Sequence, residues 1–143
     1  MRISALLQAK GATVHTVRRD ATVAEVVALL SRHDVGALVV SDDGVHIEGI
    51  VSERDVVRRL HELRGALMVE QVSVIMSRDV TTCSPEDEVE SLMSTMTDRR
   101  VRHVPVVSGG ELVGIVSIGD VVKSRIDELQ RDRDILVDYI QAR

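Results

Sequence analysis

The chain has 143 residues, a length that predicts one compact unit or two small ones that share a core. Hydrophobic residues make up 44% of it and charged residues 29%, which favours a packed globular protein over a disordered one. The formal net charge is -5, and no Trp or Phe accompanies Tyr139. A nucleic-acid-binding protein, which needs a basic surface and stacking platforms, is therefore disfavoured.

Cys83 is the only cysteine of the chain, which excludes an internal disulfide and a zinc site built from several thiolates. The five histidines show no metal-ligand spacing, so we expect no metal. The first residues form no apolar run long enough for a signal peptide, and about 18 consecutive apolar residues occur nowhere. These observations favour a cytoplasmic protein that does not enter a membrane.

The sequence contains an internal repeat, in which residues 14–57 correspond to residues 80–122. The match is strongest between GIVSERDVV, residues 49–57, and GIVSIGDVV, residues 114–122, which agree at seven of nine positions. Both copies therefore predict the same order of secondary structure elements.

The first copy predicts an extended segment at residues 14–17, followed by an amphipathic helix. A hairpin follows, with extended segments at residues 37–41 and 47–52 around an Asp-Asp-Gly turn, and a second helix begins at Ser52. The first helix is indicated by apolar residues at the i, i+3, i+4, i+7 spacing of one helical face: Val23, Val26, Val27 and Leu30.

The segment between the copies, residues 63–77, predicts a packed linker with a short helix. It is rich in apolar residues, among them Val69, Val72, Ile75 and Met76.

The second copy predicts an extended segment at residues 80–83, a helix, and a hairpin of residues 103–107 and 111–117 around a Ser-Gly-Gly turn. A last helix begins at Ser117. The first of these helices has an apolar face of Val89, Leu92, Met93 and Met96. The last helix continues as an apolar stripe, and the sequence leaves open whether it packs on its own domain or on a partner helix: Val122, Ile126, Leu129, Leu136 and Ile140.

The repeated order β-α-β-β-α predicts an α+β fold. A unit of about 50 residues buries too little surface to be stable alone, whereas two related units can share one interior. We therefore predict two repeats packed as one pseudo-symmetric module, with a C-terminal helix.

The motif Gly-Ile-Val-Ser-x-x-Asp occurs in both copies, at residues 49–55 and 114–120. It places a serine and the first free N–H groups of a helix at the end of a buried strand, where they attract phosphate. The aspartate lies in the first helical turn and is suited to accept hydrogen bonds from a ribose diol. The alternative is a simple capping box, which needs no ligand.

A basic cluster precedes Val104-Pro105-Val106 in this acidic protein, and such donors suit a phosphate: Arg99, Arg100, Arg102 and His103. Pro105 lacks an N–H and leaves neighbouring backbone groups available to a base. An adenine would lie between aliphatic side chains such as Val101, Val104 and Ile118. A solvated helix end is the alternative interpretation of the cluster.

With this duplicated motif, the chain resembles a tandem pair of cystathionine-β-synthase (CBS) domains from about Ala9 to Arg131. The resemblance implies a disc-shaped pair with two clefts, often dimerised, that binds AMP, ADP, ATP, S-adenosylmethionine or NADH and senses energy or metabolite state. It implies CBS domain 1 at residues 8–64, a linker at 65–75, CBS domain 2 at 76–131 and a helical tail at 132–143.

The resemblance also implies nucleotide-binding residues. The serine touches phosphate and the aspartate holds the ribose, which corresponds to Ser52 with Asp55 and to Ser117 with Asp120. Segments that frame the base correspond to Thr16, Val35, Gly36, Ala37 and Leu38 in one cleft, and to Thr82, Val101, Arg102, His103, Val104 and Pro105 in the other.

The first copy departs from this pattern, because Gly36-Ala37-Leu38-Val39 stands where the second has Arg102-His103-Val104-Pro105. The second cleft is therefore the preferred nucleotide site, with Arg54 as partial compensation in the first.

The sequence predicts a non-catalytic regulatory module for an adenine nucleotide, AMP first, that acts as a homodimer on an unknown effector protein. No nucleophile beside a base and no paired catalytic carboxylates support an enzyme. The alternatives are a ligand-free interaction module and a sensor of NADH or S-adenosylmethionine.

Overall fold

The computed structural model describes residues 1–142 and shows the predicted α+β fold. Two antiparallel hairpins are each flanked by helices, and the last helix is long. The elements in chain order are α1 (Ile3–Lys10), β1 (Thr16–Val17), α2 (Val23–His33), β2 (Ala37–Val40), β3 (Gly49–Ser52), α3 (Glu53–Leu63), 3-10 helices at Arg64–Val69 and Val72–Val74, α4 (Val89–Arg99), β4 (His103–Ser108), β5 (Glu111–Ser117) and α5 (Ile118–Gln141).

The first repeat forms a three-stranded sheet in the order β1-β2-β3. β1 runs parallel to β2, and β2 pairs antiparallel with β3, with Leu38 opposite Val51. All four residues of β2 are buried, which explains why its sequence is uniformly apolar instead of alternating. The preceding helix α2 begins at the cap Thr22, whose hydroxyl accepts a hydrogen bond from the Glu25 N–H at 3.2 Å.

The hairpin turn of the first repeat is longer than the predicted Asp-Asp-Gly turn, and β3 begins only at Gly49. The Asp43 carboxylate accepts hydrogen bonds from the N–H groups of Val45 and His46, each at 2.8 Å. These bonds hold the chain in a wide loop that ends at Glu48, whose N–H donates to the Val40 carbonyl at 2.8 Å just before β3 begins.

The second repeat has a two-stranded sheet of β4 and β5, joined by a tight turn at Gly109 and Gly110. Both glycines have positive φ, 59° and 80°, the conformation that a two-residue hairpin turn requires. The predicted strand at residues 80–83 was wrong in extent, because only Cys83 bridges to Val106. The Asp87 carboxylate accepts from the Ser84 N–H at 2.8 Å and turns the chain away from the sheet.

The segment that leads into each repeat packs on the other repeat. α1 precedes the first repeat, yet Ile3, Leu6 and Leu7 lie in the core of the second. The 3-10 helices precede the second repeat, yet Leu67 and Val72 lie in the core of the first. This reciprocal exchange binds the two repeats into one module and confirms the pseudo-symmetric packing.

The strand glycines of the repeated motif accommodate these exchanged segments. A Cβ on Gly49 would lie 2.7 Å from the sulfur of Met76, and one on Gly114 would lie 2.8 Å from a methyl of Leu7. Glycine at this motif position therefore serves close packing between repeats.

The final helix α5 begins at Ser117 and continues to Gln141. Its apolar stripe is mainly exposed, with Leu136 at 61% and Ile140 at 68% of their possible area. No helix among residues 1–142 is both long and apolar enough to cross a membrane.

Candidate functional site

Two clefts of about 310 Å³ each lie between the repeats. The first cleft contains the serine and aspartate of the first motif. The second cleft contains those of the second motif. The first is lined by Gly36, Ala37, Ile50, Ser52, Glu53, Arg54, Asp55, Arg58, Ser77, Asp79, Val80, Thr81, Arg100, Val101, Arg102 and His103. The second is lined by Lys10, Thr13, Val14, His15, Asp34, Val35, Gly36, Ala37, His103, Ile115, Ser117 and Asp120.

Both motifs form complete capping boxes at the starts of α3 and α5. Asp55 Oδ2 accepts from the N–H and the hydroxyl of Ser52 at 2.8 and 3.0 Å. Asp120 Oδ2 accepts from the Ser117 N–H at 2.9 Å. In both, Oδ1 has no hydrogen-bond partner within residues 1–142, so the cap leaves one carboxylate oxygen of each lining aspartate able to accept from a ligand hydroxyl.

Asp120 differs from Asp55 because it has a cationic partner. The Lys10 ammonium lies 3.1 Å from Asp120 Oδ2 and donates to the Ile115 carbonyl at 2.6 Å. Burial opposes ionisation of Asp120, but the hydrogen bonds from Ser117 and the charge of Lys10 outweigh it and lower the pKa of Asp120. The carboxylate is therefore ionised at neutral pH.

The first cleft carries the larger positive charge. Its lining includes four arginines whose guanidinium groups have no ion pair or hydrogen bond within the described chain: Arg54, Arg58, Arg100 and Arg102. Unpaired guanidinium groups are good bidentate donors to phosphate.

His103 and Gly36 form a wall that both clefts share. A Cβ on Gly36 would lie only 2.9 Å from His103 Nε2 and 3.6 Å from Glu53 Oε1. The absence of a side chain at Gly36 therefore allows the imidazole to stand between the clefts.

Partial burial lowers the pKa of His103, against the opposing carboxylates of Glu53 and Asp120 and with the help of Arg102. We expect its ring to titrate below the ordinary histidine pKa of about 6.5. The unfolded chain then binds more protons near that pH, so the free energy of unfolding decreases as the pH falls through about 6.5. NMR titration of the histidine rings measures this pKa directly.

His46 provides the internal control for that titration. Its ring bonds to Asp43 at 2.6 Å, and this contact raises its pKa, so the two histidines should shift in opposite directions. Asp43→Asn should return only His46 to the ordinary value. A His103 pKa above 6.5 would contradict the burial described for its ring.

The clefts contain eleven of the seventeen predicted site residues. The other six lie outside them. Leu38 and Val104 are buried core residues, Pro105 is buried in β4, Thr16 pairs with Val39 in the sheet, and Thr82 and Ile118 are exposed. The residues in the clefts are Val35, Gly36, Ala37, Ser52, Arg54, Asp55, Val101, Arg102, His103, Ser117 and Asp120.

The prediction grouped the framing segments with the serine and aspartate of their own repeat, whereas each cleft is lined by residues of both repeats. Gly36 and Ala37 line the first cleft with Ser52, and so do Val101 and Arg102 of the second repeat. His103 lines the second cleft with Ser117, and so does Val35 of the first repeat. The preference for the second cleft rested on the basic cluster, of which Arg100 and Arg102 line the first cleft and His103 lines both.

Sequence reasoning missed Lys10, Asp79 and Arg58. Lys10 ends α1, a helix that the repeat pattern did not include. Arg58 lies on α3 two residues after Val56, on no motif.

Burial raises the pKa of the Cys83 thiol to about 12, with Asp87 adding to the effect, as suits a small buried hydrophobic residue.

Fold and clefts define a duplicated α+β module with two ligand-sized sites between its halves. The CBS domain profile matches residues 12–62 and 69–127, and the chain therefore belongs to the CBS domain family. CBS pairs are regulatory modules.

Known proteins agree with this assignment. The mitochondrial CBS domain-containing protein CBSX3 of Arabidopsis thaliana is 37% identical over 127 residues, or 86% of this chain, and the chain spans 62% of that relative. The crystal structure of the CBS-domain containing protein ATU1752 from Agrobacterium tumefaciens is 43% identical, with a TM-score of 0.84, covering 87% of this chain and 99% of that one.

The CBS domain pair of protein MJ0100, solved in complex with 5′-methylthioadenosine and S-adenosyl-L-methionine, has the same fold. Its TM-score is 0.78 at 21% identity, and the match covers 90% of this chain and 98% of that one.

Proposed function

We propose that this chain is a regulatory module that binds an adenosine-containing nucleotide of the AMP, ADP and ATP class, with AMP first, in the clefts between its CBS repeats. NADH and S-adenosylmethionine are alternative ligands of the same sites. The observation that carries the proposal is the first cleft, which is lined both by four arginines with unpaired guanidinium groups and by a capping aspartate with a free oxygen.

The cleft offers a complementary group to each part of such a ligand. Asp55 Oδ1 accepts from the ribose hydroxyls, and the helix N-terminus at Ser52 together with Arg54 attracts phosphate. The base lies against the aliphatic side chains of Val80 and Val101. A volume of about 310 Å³ is at the small end of ligand sites. The complex of MJ0100 with two adenosine derivatives is a precedent within the fold.

Ligand binding acts as a signal by changing how the two repeats are arranged relative to each other. Both clefts take walls from both repeats, so a ligand that draws these walls together favours one arrangement of the module by its differential affinity. The proposal includes a cytoplasmic homodimer that passes the change to an effector protein.

The test is thermal unfolding with AMP, ADP, ATP, NADH and S-adenosylmethionine, each at millimolar concentration. A ligand present at 100 times its dissociation constant adds about 2.7 kcal/mol to the free energy of unfolding. Inorganic phosphate and adenosine alone serve as controls for the two halves of the ligand. The proposal fails if none of the five compounds raises the melting temperature.

The exposed apolar residues of α5 favour a second candidate, a ligand-free interaction module. In that case the capping boxes only stabilise helices, and Asp55→Ala costs about 1 kcal/mol of stability with no effect on nucleotides. Loss of nucleotide affinity in this variant, beyond what its lower stability explains, would exclude the second candidate.

A further inference from the structure

We propose that the two clefts take different chemical classes of adenosine ligand: a phosphate-bearing nucleotide in the first, and a phosphate-free adenosine derivative in the second. This inference rests on the proposed function and deepens it. It follows from the charges that line each cleft and from how those charges are already paired.

The first cleft has a surplus of available positive charge. Four arginines face three carboxylates, Glu53, Asp55 and Asp79, and no arginine is bound to any of these. Oδ2 of Asp55 accepts hydrogen bonds from its own capping serine. The four guanidinium groups therefore remain available to a polyphosphate, which they bind in charge-assisted pairs.

The second cleft has a surplus of negative charge. Its lining contains one cation, Lys10, against the carboxylates of Asp34 and Asp120. Burial lowers the pKa of both His15 and His103, so neither ring adds positive charge at neutral pH. His15 also stacks on His33 with ring centroids 3.7 Å apart, which further disfavours its protonation.

The single cation of the second cleft is already committed. Lys10 Nζ contacts Asp120 at 3.1 Å and the Ile115 carbonyl at 2.6 Å. Lys10 has one N–H left for a phosphate, and a phosphate that took it would lie beside the negative charge of Asp120, which repels it. The remaining side-chain groups, Asp120 Oδ1 and the Ser117 hydroxyl, suit neutral hydroxyls such as those of ribose. The start of α5 offers an anion the same helix dipole as the start of α3, so it is the lack of an available cation among the lining residues that makes this cleft favour adenosine over its phosphates.

Calorimetry with ATP and adenosine as probes tests this division. We expect one ATP per chain, and one further adenosine when ATP is saturating. Arg54→Gln with Arg102→Gln should weaken ATP binding about 100-fold, since losing each charged donor costs about tenfold. The same variant should bind adenosine in the second cleft unchanged. Arg78→Gln, an exposed arginine outside both clefts, is the matched control and should leave ATP binding unchanged.

Asp120→Asn should lower the affinity for the adenosine that binds when ATP is saturating, and it should leave the affinity for ATP unchanged. The melting temperature of each variant establishes that it is folded. Two equal ATP sites, or a single site for which ATP and adenosine compete, would overturn the division between clefts while leaving the proposed function intact. Binding of neither probe would overturn the division, and the proposed function falls with it only if none of the five compounds raises the melting temperature.

Discussion

Leu67→Ala is expected to lower the free energy of unfolding by about 2–5 kcal/mol, the cost of removing a large buried side chain and leaving a cavity. Leu67 lies between the repeats in sequence, where a flexible spacer would tolerate alanine. In the structure it is 0% exposed and belongs to the core of the first repeat with Val26 and Val51. Urea unfolding of the two proteins measures the difference.

Val69→Ala is the matched control for this substitution. Val69 lies in the same 3-10 helix but is 78% exposed, so its truncation should change stability by no more than about 0.5 kcal/mol. Equal and small effects of both substitutions would show that the linker is not part of the core.

Gly36→Val is expected to weaken ligand binding by about 10- to 100-fold in the cleft into which the displaced His103 ring moves. Its first side-chain carbon would lie 2.9 Å from His103 Nε2, and the imidazole must move into one of the clefts that it separates. A ligand in that cleft would push the ring back against the new side chain, and overpacking of this kind costs about 1–3 kcal/mol, where each 1.4 kcal/mol is a tenfold change in affinity. Calorimetric titration with AMP or ATP and with adenosine measures both sites.

Gly65→Val is the matched control for Gly36→Val in the wall that the two clefts share. A Cβ on Gly65 meets no heavy atom within 4 Å, so this substitution should leave ligand binding unchanged. The melting temperature of Gly36→Val should fall only slightly, because the displaced atoms are the mobile end of a histidine. Normal affinity in both clefts of Gly36→Val would contradict the position given to His103.

Repetition and periodicity predicted most of the fold. The apolar faces of α2 and α4, the two hairpins and the helix starts at Ser52 and Ser117 are local patterns, and they appear at or near the predicted positions. The wide loop after β2 and the shortened strand near Cys83 were not predicted. The loop depends on the Asp43 side chain, which accepts from two backbone N–H groups, and composition does not reveal such a contact.

The sequence predicted which serines and aspartates belong to the site, but it did not predict which residues the fold brings next to them. The capping serines and aspartates lie in the clefts, and each cleft takes residues from both repeats, such as Gly36 and Arg102 in the first and Val35 and His103 in the second. Sequence order suggests that each repeat builds its own site, and only the packing of the two repeats on each other shows otherwise. Thr16 does not line a cleft, whereas its neighbour His15 does. Neighbouring residues of an extended chain point to opposite sides, so a prediction that is one position off selects the wrong face.

The exchange of lead-in segments has a consequence for the ancestry of the chain. A gene encoding one repeat alone would specify half of each binding site and an unfinished hydrophobic interior. Such a half could work only by pairing with an identical copy, which would give two identical pockets. Because one polypeptide holds both halves, each pocket can carry its own side chains, and the two pockets of this chain carry unequal charges.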